Sequence, residues 1–453
     1  MNSYNNKITQ AVIFAGGLGE RLKPFTLTNP KPMYPINGKP FIEYLVKQIK
    51  SFGISDIIIL LGYLHEKVEE YLGDGTKYGV KIRYAVTPVE YDTELRLKAA
   101  REWLNDEFLT MYCDNICPIN FVRLCKNYFE HNALIELTVY DNSDGWTKSN
   151  IIIDKNVDKL VEDFYFNKCE VDKSKFKNIF VNENIVNKNC NNNHNNTKRL
   201  YEPDLLNGKV VTYDKKRQTP NLKYVDIGYA IVSKKVFDYM SVENENFEAV
   251  VYPKVLKENK LYATATKHRY YSIGSFERIK YTEKYLSNQK YIFLDRDGTL
   301  NKRPKKAEYI VKPDDFIWLD GAKAAVKKLN DAGYFIIMIS NQAGIARGAM
   351  TVSDFDKVQQ KMLNDLNEIG AHIDAVYFCP HGWDDNCDCR KPKPGMLYQA
   401  QKDFSIDLTK CIMIGDDERD IFTANNADMK GILVYDDYKF IDAVNDLVGD
   451  ELW

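Results

Sequence analysis

The stretch that most constrains how this chain can fold is residues 291–300, with the sequence YIFLDRDGTL. A short apolar run, predicted to be a strand, leads directly into Asp295 and Asp297 and then into Gly298. Side chains two residues apart on an extended strand point to the same side, and a glycine turn lets the backbone approach a phosphate closely. The stretch therefore predicts a phosphoryl-transfer centre, in which one carboxylate attacks phosphorus and the other moves protons. These residues alone are equally compatible with a strand that ends in a solvated Asp-Gly turn.

Three more predicted strands end on polar residues. Residues 334–339 lead into Ser340, residues 376–379 end on Cys379, and residues 411–414 lead into Gly415 and Asp416. A small hydroxyl residue at the carboxyl end of a strand, followed by a turn and a helix, is where an open α/β sheet places its ligand groups. The second half of the chain is therefore predicted to be an α/β domain with its site at these strand ends.

The first half opens with the apolar strand 11–15, followed at once by Gly16, Gly17 and Gly19. A glycine-rich turn after a strand presents backbone N–H groups to phosphate, although a dinucleotide-binding turn has a similar pattern. The turn continues into a proline-punctuated loop that carries Arg21 and Lys31. Two cations at fixed points in a stiff loop favour a triphosphate over NAD.

Residues 16–33 resemble the signature of the sugar nucleotidyltransferases, in which a Gly-Gly-x-Gly-x-Arg-Leu turn is followed by Pro-Lys-Pro. Further matches are a strand that ends on Asp114, a lysine motif at residues 211–215, and a heptose-subgroup motif at residues 224–229. The resemblance implies a GT-A-like fold in which Arg21 and Lys31 hold the nucleotide phosphates. It also implies that Asp114 binds Mg²⁺ and that Lys215 binds the phosphate of the sugar.

The chain departs from this family at two points. The usual Thr-Gly-Gly turn near the base is replaced by residues 92–96, DTELR, and the usual second metal-binding acid is replaced by Ser272. We therefore leave the base open and regard Asp226 as a candidate replacement for the missing acid.

The second half resembles the haloacid-dehalogenase (HAD) phosphatases, within which it is closest to the heptose-bisphosphate and histidinol-phosphate phosphatases. The resemblance rests on the Asp295 stretch, on residues 340–348 and 389–396, and on the acidic strand end at residues 415–417. It implies that Asp295 is the nucleophile and Asp297 the acid and base, with Mg²⁺ held by Asp295, Asp416 and the Asp297 carbonyl. The implied substrate-binding residues are Ser340, Asn341, Arg347, Arg390 and Lys391.

A cluster of thiols precedes Arg390. Cys379 and His381 are followed after five residues by Cys387 and Cys389. Three thiolates and one imidazole complete a tetrahedral zinc set and leave no open position, which is typical of a structural site. We predict a structural Zn²⁺ that fixes the loop carrying Arg390 and Lys391.

With 453 residues the chain is long enough for two domains, which we place at residues 1–287 and 288–453. Both are expected to be Rossmann-like and doubly wound. An Asn-rich insertion at about residues 164–209 has too few apolar residues to form a packed core. The net charge of −2, the lack of a signal peptide or membrane span and the scattered cysteines predict a cytoplasmic protein without nucleic-acid or membrane partners.

The two resemblances together predict a fusion of two Mg²⁺-dependent enzymes of nucleotide-sugar synthesis, whose partners are a nucleoside triphosphate and sugar phosphates. A homo-oligomer is compatible with this prediction. The implied phosphatase substrate is D-glycero-D-manno-heptose 1,7-bisphosphate, and the implied nucleotide is GTP. Two alternatives stay open for the first half: a cytidylyltransferase acting on another sugar, ketose or polyol phosphate, and a degenerate binding module.

Overall fold

The computed structural model describes residues 7–154, 207–305 and 307–449. These residues divide into two compact units, one made of residues 7–154 and 207–286 and the other of the described residues from 287 to 449. The predicted Asn-rich insertion lies outside the described residues as far as residue 206, whereas residues 207–209 begin a strand.

The first unit is built around a nine-stranded sheet. The strands of this unit are β1 (Gln10–Ala15), β2 (Pro35–Ile36), β3 (Lys39–Pro40), β4 (Asp56–Leu61), β5 (Lys81–Val86), β6 (Glu107–Tyr112), β7 (Asn115–Ile116), β8 (Ile135–Asp141), β9 (Ile151–Ile153), β10 (Asn207–Tyr213), β11 (Tyr224–Ser233), β12 (Leu261–Thr266) and β13 (Tyr271–Ser272). Its helices are α1 (Phe41–Ser51), α2 (Glu66–Leu72), α3 (Thr93–Ala99), α4 (Phe121–Glu130), α5 (Phe247–Lys257) and α6 (Phe276–Tyr285).

The order of the large sheet is β5-β4-β1-β6-β11-β8-β12-β10-β9. Strands β5, β4, β1 and β6 are parallel, and β11 runs antiparallel to both β6 and β8. Every residue of β1 is buried, as expected for a central strand covered on both faces. Because Ala15 pairs with Leu61 and Phe14 with Tyr112, the carboxyl ends of these strands lie along one edge of the sheet.

The second unit has a five-stranded sheet in the order β16-β15-β14-β17-β18, in which all neighbouring strands are parallel. Its strands are β14 (Lys290–Leu294), β15 (Tyr334–Asn341), β16 (Ala375–Cys379), β17 (Ile412–Gly415) and β18 (Lys430–Leu433). Its helices are α7 (Ala322–Asp331), α8 (Val352–Asn367), α9 (Gly395–Phe404), α10 (Glu418–Asn425) and α11 (Phe440–Gly449).

Alternating residues of β14 face two separate apolar cores in the second unit. Ile292 and Leu294 pack with side chains of α7, α8 and α11, whereas Phe293 packs with side chains of α9 and α10. The first unit also has two such cores, so helices cover both faces of each sheet. The predicted doubly wound α/β class is confirmed, with antiparallel strands added to the sheet of the first unit. Within the described residues, no helix is both long and apolar enough to cross a bilayer.

Candidate functional site

The carboxyl ends of the parallel strands in the second unit form a charged cavity. Asp295 follows β14 directly, and its backbone N–H donates to the Ile414 carbonyl of β17 at 2.9 Å. Gly298 has a φ of +103°, and a side-chain carbon at this position would lie 1.8 Å from Asp416 Oδ2. The glycine is therefore required here because it leaves room for Asp416.

Lys391 links the predicted nucleophile to a second acid. Its Nζ lies 2.6 Å from Asp295 Oδ1 and 2.6 Å from Asp420 Oδ1, and all three side chains are buried. The loop that delivers Lys391 is fixed by Asn341: the Asn341 side chain donates to the Lys391 carbonyl at 3.1 Å and accepts from the Lys391 N–H at 3.0 Å. Asn341, predicted to bind substrate, therefore positions Lys391 in this structure.

Asp297 accepts four hydrogen bonds. Arg296 donates to its two oxygens at 3.0 and 2.9 Å, Asn301 donates at 3.1 Å, and Gln342 donates at 3.0 Å. Gln342 also donates to the buried Ser340 hydroxyl at 2.8 Å. Burial raises the pKa of Asp297, but the charge and hydrogen bonds of Arg296 and its other donors outweigh burial and leave the pKa below its ordinary value. The carboxylate is thus held ionised, which suits a base.

Three carboxylates converge beside Lys391. Single oxygens of Asp295, Asp416 and Asp420 lie within 4.8 Å of one another, and Asp416 Oδ1 is buried without a hydrogen-bond donor. Burial raises the pKa of Asp295 to about 7 and that of Asp416 to about 6, against the opposing charges of Lys391 and Arg303. Clustered hard oxygen donors that are costly to ionise fit a Mg²⁺ ion, which would neutralise them.

The cavity next to these acids has a volume of about 410 Å³ and is lined by both charged and apolar side chains. Of the predicted substrate ligands, Ser340, Asn341, Arg390 and Lys391 line it. Three unpredicted cations also line it: Arg303, Lys305 and Arg419. Arg303 pairs with Asp416 at 2.9 Å and with Asp417 at 3.1 Å, while Arg419 binds both oxygens of Asp417.

Arg347, another predicted substrate ligand, is placed differently. It is absent from the described residues that line the cavity, and its guanidinium lies 4.2 Å from the centroid of the Trp383 ring. The structure therefore brings Arg347 onto an aromatic side chain of the cavity wall.

The four predicted zinc ligands converge at the end of β16. Cys379 Sγ lies 3.6 Å from both His381 Nδ1 and Cys387 Sγ, and His381 Nδ1 lies 3.2 Å from Cys389 Sγ. Three soft sulfur atoms and one imidazole nitrogen at these separations fit a tetrahedral Zn²⁺. The Arg390 guanidinium donates to the His381 carbonyl at 3.3 Å, so this cluster adjoins the catalytic cavity.

In the first unit, the glycine-rich turn and the predicted metal ligand lie at neighbouring strand ends. Gly19 has a φ of +63°, and a side-chain carbon there would lie 2.9 Å from Lys31 Cβ. Lys31 Nζ pairs with Asp114 Oδ2 at 2.5 Å, so the structure brings together a predicted phosphate ligand and the predicted Mg²⁺ ligand. Arg21 is exposed and lies near Gly274.

Arg96 occupies the strand ends beside Gly16. Its guanidinium donates to the Leu61 carbonyl, the Thr87 hydroxyl and the Val89 carbonyl at 2.9, 2.6 and 3.0 Å. A side-chain carbon at Gly16 would lie 2.3 Å from Arg96 Cζ. The replaced turn at residues 92–96 thus fills this part of the edge with a buried cation, because only a glycine at position 16 leaves space for it.

Lys215 belongs to a separate polar group. It pairs with Glu248 at 3.2 Å and contacts Asn246, while Tyr213 donates to Glu248 at 3.1 Å. Asp226 lies near the same group, and burial followed by the charge of Glu248 raises its pKa to about 7. No described contact joins Lys215 directly to Lys31 or Asp114.

Ser272, which stands in place of the usual second acid, is close to Asp114: the N–H of the next residue, Ile273, donates to the Asp114 carbonyl at 3.0 Å. In the described ranges, two groups of three or more His, Cys, Asp or Glu side chains converge, and neither contains Asp114 or Asp226. The suggestion that Asp226 replaces the missing acid therefore stays a hypothesis, and the structure places Asp226 with Glu248 instead.

Several residues of these sites were not found from the sequence. Asp420 could have been found, because Asp417 and Asp420 form a capping box at the start of α10 and Asp420 lies one helical turn from Asp416. Arg296 and Gln342 adjoin predicted residues but carry no spacing signal. Arg303 and Arg96 become site residues only through tertiary contacts.

Comparisons with known proteins agree with this division of the chain. The family model described as nucleotidyl transferase matches residues 10–165, and that described as polynucleotide kinase 3 phosphatase matches residues 290–444. The D-glycero-beta-D-manno-heptose-1,7-bisphosphate 7-phosphatase of Haemophilus ducreyi is 40% identical over 149 residues, which are 31% of this chain and 80% of that protein. The D-glycero-alpha-D-manno-heptose-1,7-bisphosphate 7-phosphatase of Photorhabdus laumondii is 41% identical over 145 residues, or 30% of this chain and 78% of that protein.

A solved structure is similar to a larger share of the chain at lower identity. The crystal structure of HddC from Yersinia pseudotuberculosis shares 19% identity with this chain, covers 62% of this chain and 100% of its own, and superposes with a TM-score of 0.44.

Proposed function

Because this chain belongs to the D-glycero-D-manno-heptose-1,7-bisphosphate 7-phosphatase family through its second unit and carries a nucleotidyl transferase domain in its first, we propose that its two activities follow one another on one sugar. The second unit removes the 7-phosphate of D-glycero-D-manno-heptose 1,7-bisphosphate. The first unit then joins the heptose 1-phosphate to GTP and releases pyrophosphate. The observation that carries the phosphatase half is the set formed by the buried Asp295, Lys391 and Asp420 and the half-buried Asp416 beside a cation-lined cavity.

In the phosphatase, a carboxylate oxygen of Asp295 attacks phosphorus, and the bond from phosphorus to the sugar oxygen breaks. Asp297 donates a proton to that oxygen, then takes one from the water that hydrolyses the aspartyl phosphate and frees Asp295. The second step suits Asp297 as it stands. The first step requires Asp297 to have taken up a proton from solvent, for which one of its hydrogen-bond donors must move away. Ser340 and Lys391 hold the phosphoryl oxygens, and Arg390 holds the substrate.

Mg²⁺ held by Asp295, Asp416 and the Asp297 carbonyl, with Asp420 as a further acid of this cluster, would neutralise charge on the phosphoryl group. In the transferase, Arg21 and Lys31 neutralise the triphosphate, backbone N–H groups of Gly16, Gly17 and Gly19 cradle it, and Asp114 would hold a second Mg²⁺. Lys215 orients the sugar phosphate, whose oxygen attacks the α-phosphorus. A Zn²⁺ held by Cys379, His381, Cys387 and Cys389 would have a structural role.

The order follows from the chemistry of the substrate. The transferase uses the anomeric phosphate as its nucleophile, so the phosphatase must keep that phosphate and remove the distal one. Phosphorus NMR of both anomers of the bisphosphate incubated with the protein tests this proposal. We expect loss of the 7-phosphate signal, followed after GTP addition by a new sugar diphosphate and pyrophosphate. Release of the anomeric phosphate, or refusal of the heptose 1-phosphate with every nucleotide, would contradict it.

Two alternatives for the first unit are separated in the same experiment by replacing GTP with CTP, ATP, UTP and dTTP. A product formed with CTP but not with GTP would favour a cytidylyltransferase. The absence of pyrophosphate with all five nucleotides and a panel of sugar phosphates would favour a degenerate binding module.

A further inference from the structure

Trp383 is an exposed aromatic side chain in the wall of the catalytic cavity. It lines the same cavity as Asp295 and Lys391. Among the described residues that line this cavity, it is the one large apolar side chain that is mostly exposed, at 56%. Ligand pockets commonly combine such aromatic walls with a few charged groups, and the indole lies at a cavity that already holds several.

The position of the indole is fixed from two sides. The Arg347 guanidinium lies 4.2 Å from the ring centroid, a distance at which a cation is attracted to an aromatic face. Trp383 also lies between His381 and Cys387, which both belong to the Cys/His cluster. Arg347 comes from the turn after β15, so two separate loops of the cavity meet at this ring.

The charged side chains of the cavity account for the phosphates of a sugar bisphosphate but not for its carbon skeleton. Among the large apolar side chains described there, Trp383 is the exposed one. Lys391 serves the reacting phosphoryl group, and Lys305 and Arg390 offer positive charge to a second phosphate, whereas Arg303 and Arg419 pair with Asp416 and Asp417. A sugar ring in its cyclic form presents a face of C–H groups, which packs favourably against a flat aromatic surface. An open-chain polyol or a small phosphate ester has no such rigid face.

We propose that Trp383 is a specificity-determining residue that stacks against the C–H face of the sugar ring and makes the phosphatase prefer cyclic sugar phosphates. This inference rests on the proposed phosphatase function and names the feature of the substrate that the site selects. In this arrangement Arg347 is a positioning residue, because it acts through the indole.

The test compares full-length wild type with Trp383→Ala and Trp383→Phe, using heptose 1,7-bisphosphate, an open-chain hexitol 1,6-bisphosphate and acetyl phosphate. Losing one stacking contact should raise KM for the heptose about five- to tenfold in Trp383→Ala, with kcat within about twofold. Trp383→Phe should recover most of this loss. Values of kcat/KM for the hexitol and for acetyl phosphate should not change.

Trp103→Ala is the matched control, because Trp103 is 41% exposed and belongs to the first unit. This control variant should leave the kcat and KM of the phosphatase unchanged. A second readout is binding without turnover: heptose bisphosphate added to Asp295→Asn should change tryptophan fluorescence, and the same protein carrying Trp383→Phe should lose that change. Metal analysis of each variant checks that the Cys/His cluster is not altered.

Unchanged KM for the heptose in Trp383→Ala would overturn the inference while leaving the proposed function in place. An equal loss with all three substrates would also overturn it, since that pattern indicates a merely structural role. Failure of wild type to hydrolyse the heptose bisphosphate while it still cleaves acetyl phosphate would instead defeat the proposed function, and this inference with it.

Discussion

Lys391 illustrates, at the scale of single residues, how one buried cation organises the phosphatase site. Its ammonium lies 2.6 Å from both Asp295 and Asp420, and burial would be costly for any of the three charges alone. Among the described residues, Lys391 and Arg303 pair with the cluster formed by Asp295, Asp416 and Asp420. The geometry of Asp295, the proposed nucleophile, therefore depends on charges contributed from separate parts of the chain.

In the first unit, the carboxyl group of Asp226 leads to a prediction about how stability depends on pH. Burial and the charge of Glu248 raise its pKa to about 7, whereas an aspartate in an unfolded chain titrates near pH 4. Between these values the folded protein holds a proton that the unfolded chain has released. The contribution of this carboxyl to stability is therefore fully present below about pH 4 and is lost as the pH rises to about 7.

Asp226→Asn cannot ionise, so it should not show this loss. We expect the stability of the variant relative to wild type to increase by roughly 1–3 kcal/mol between pH 5 and pH 8. Denaturant unfolding followed at both pH values measures the difference. A difference that stays constant with pH, or that changes in favour of wild type, would contradict the assignment of a raised pKa to this group.

At the scale of elements, parallel strands explain what the sequence could predict. Each predicted strand of the second unit is an apolar run, and its chemistry lies at the carboxyl end, where sequence order alone identifies it: Asp295, Ser340, Cys379 and Asp416. Parallel pairing then brings these ends to one edge. The predicted residues that the structure brings together, including Lys31 with Asp114, lie either at such strand ends or in long sequence motifs.

Residues whose role depends on a side chain crossing between loops were not predictable in this way. Arg303 reaches Asp416 and Asp417 across 113 and 114 positions, and no periodicity relates such positions. Arg96 belongs to an ordinary helical segment, α3, and becomes part of the strand edge only because Gly16 and Gly62 leave space for its guanidinium. Arg347 was expected to line the cavity because it belongs to a loop that was predicted to do so. Its long side chain instead stacks on Trp383.

The loop of the Cys/His cluster gives a prediction for an element. A side-chain carbon at Gly395, the first residue of α9, would lie 2.3 Å from the Asp388 carbonyl oxygen and 3.1 Å from Cys389 Cα. Backbone atoms cannot rotate away as a side-chain tip can, so Gly395→Ala must displace the segment that carries Cys387 and Cys389. We expect a loss of about 1–3 kcal/mol in the free energy of unfolding, weaker zinc retention and lower phosphatase activity.

Gly382→Ala is the matched control in the same loop, because the nearest atom to a side-chain carbon there is 3.4 Å away and belongs to the flexible Asp385 side chain. It should retain zinc and activity, and Cys387→Ser, which removes a ligand, marks the fully disrupted result. Zinc per chain, melting temperature and phosphatase rate are compared across the three variants. Wild-type protein that contains no zinc, or equal behaviour of the two glycine variants, would refute the prediction.

At the scale of the whole molecule, each unit contains its own chemical groups. Asp295, the proposed nucleophile, belongs with Lys391 to the second unit, and Lys31 with Asp114 belongs to the first. Neither set borrows a described hydrogen bond or ion pair from the other unit. One chain can therefore hold two successive activities on the same sugar without either site being needed for the chemistry of the other.

We therefore expect the two activities to be separable by single substitutions in the full-length protein. Asp295→Asn should abolish phosphate release from the bisphosphate, since an amide is not a nucleophile, while pyrophosphate release from GTP and heptose 1-phosphate continues at the wild-type rate. Lys31→Ala should abolish pyrophosphate release while phosphate release continues, because it removes the cation beside Asp114. Lys23→Ala is its matched control: this lysine lies in the same loop, its side chain is 53% exposed, and it pairs with Glu20 at the surface. Both products are measured on the same samples, and a substitution that lowered both activities together would mean that the sites are not independent.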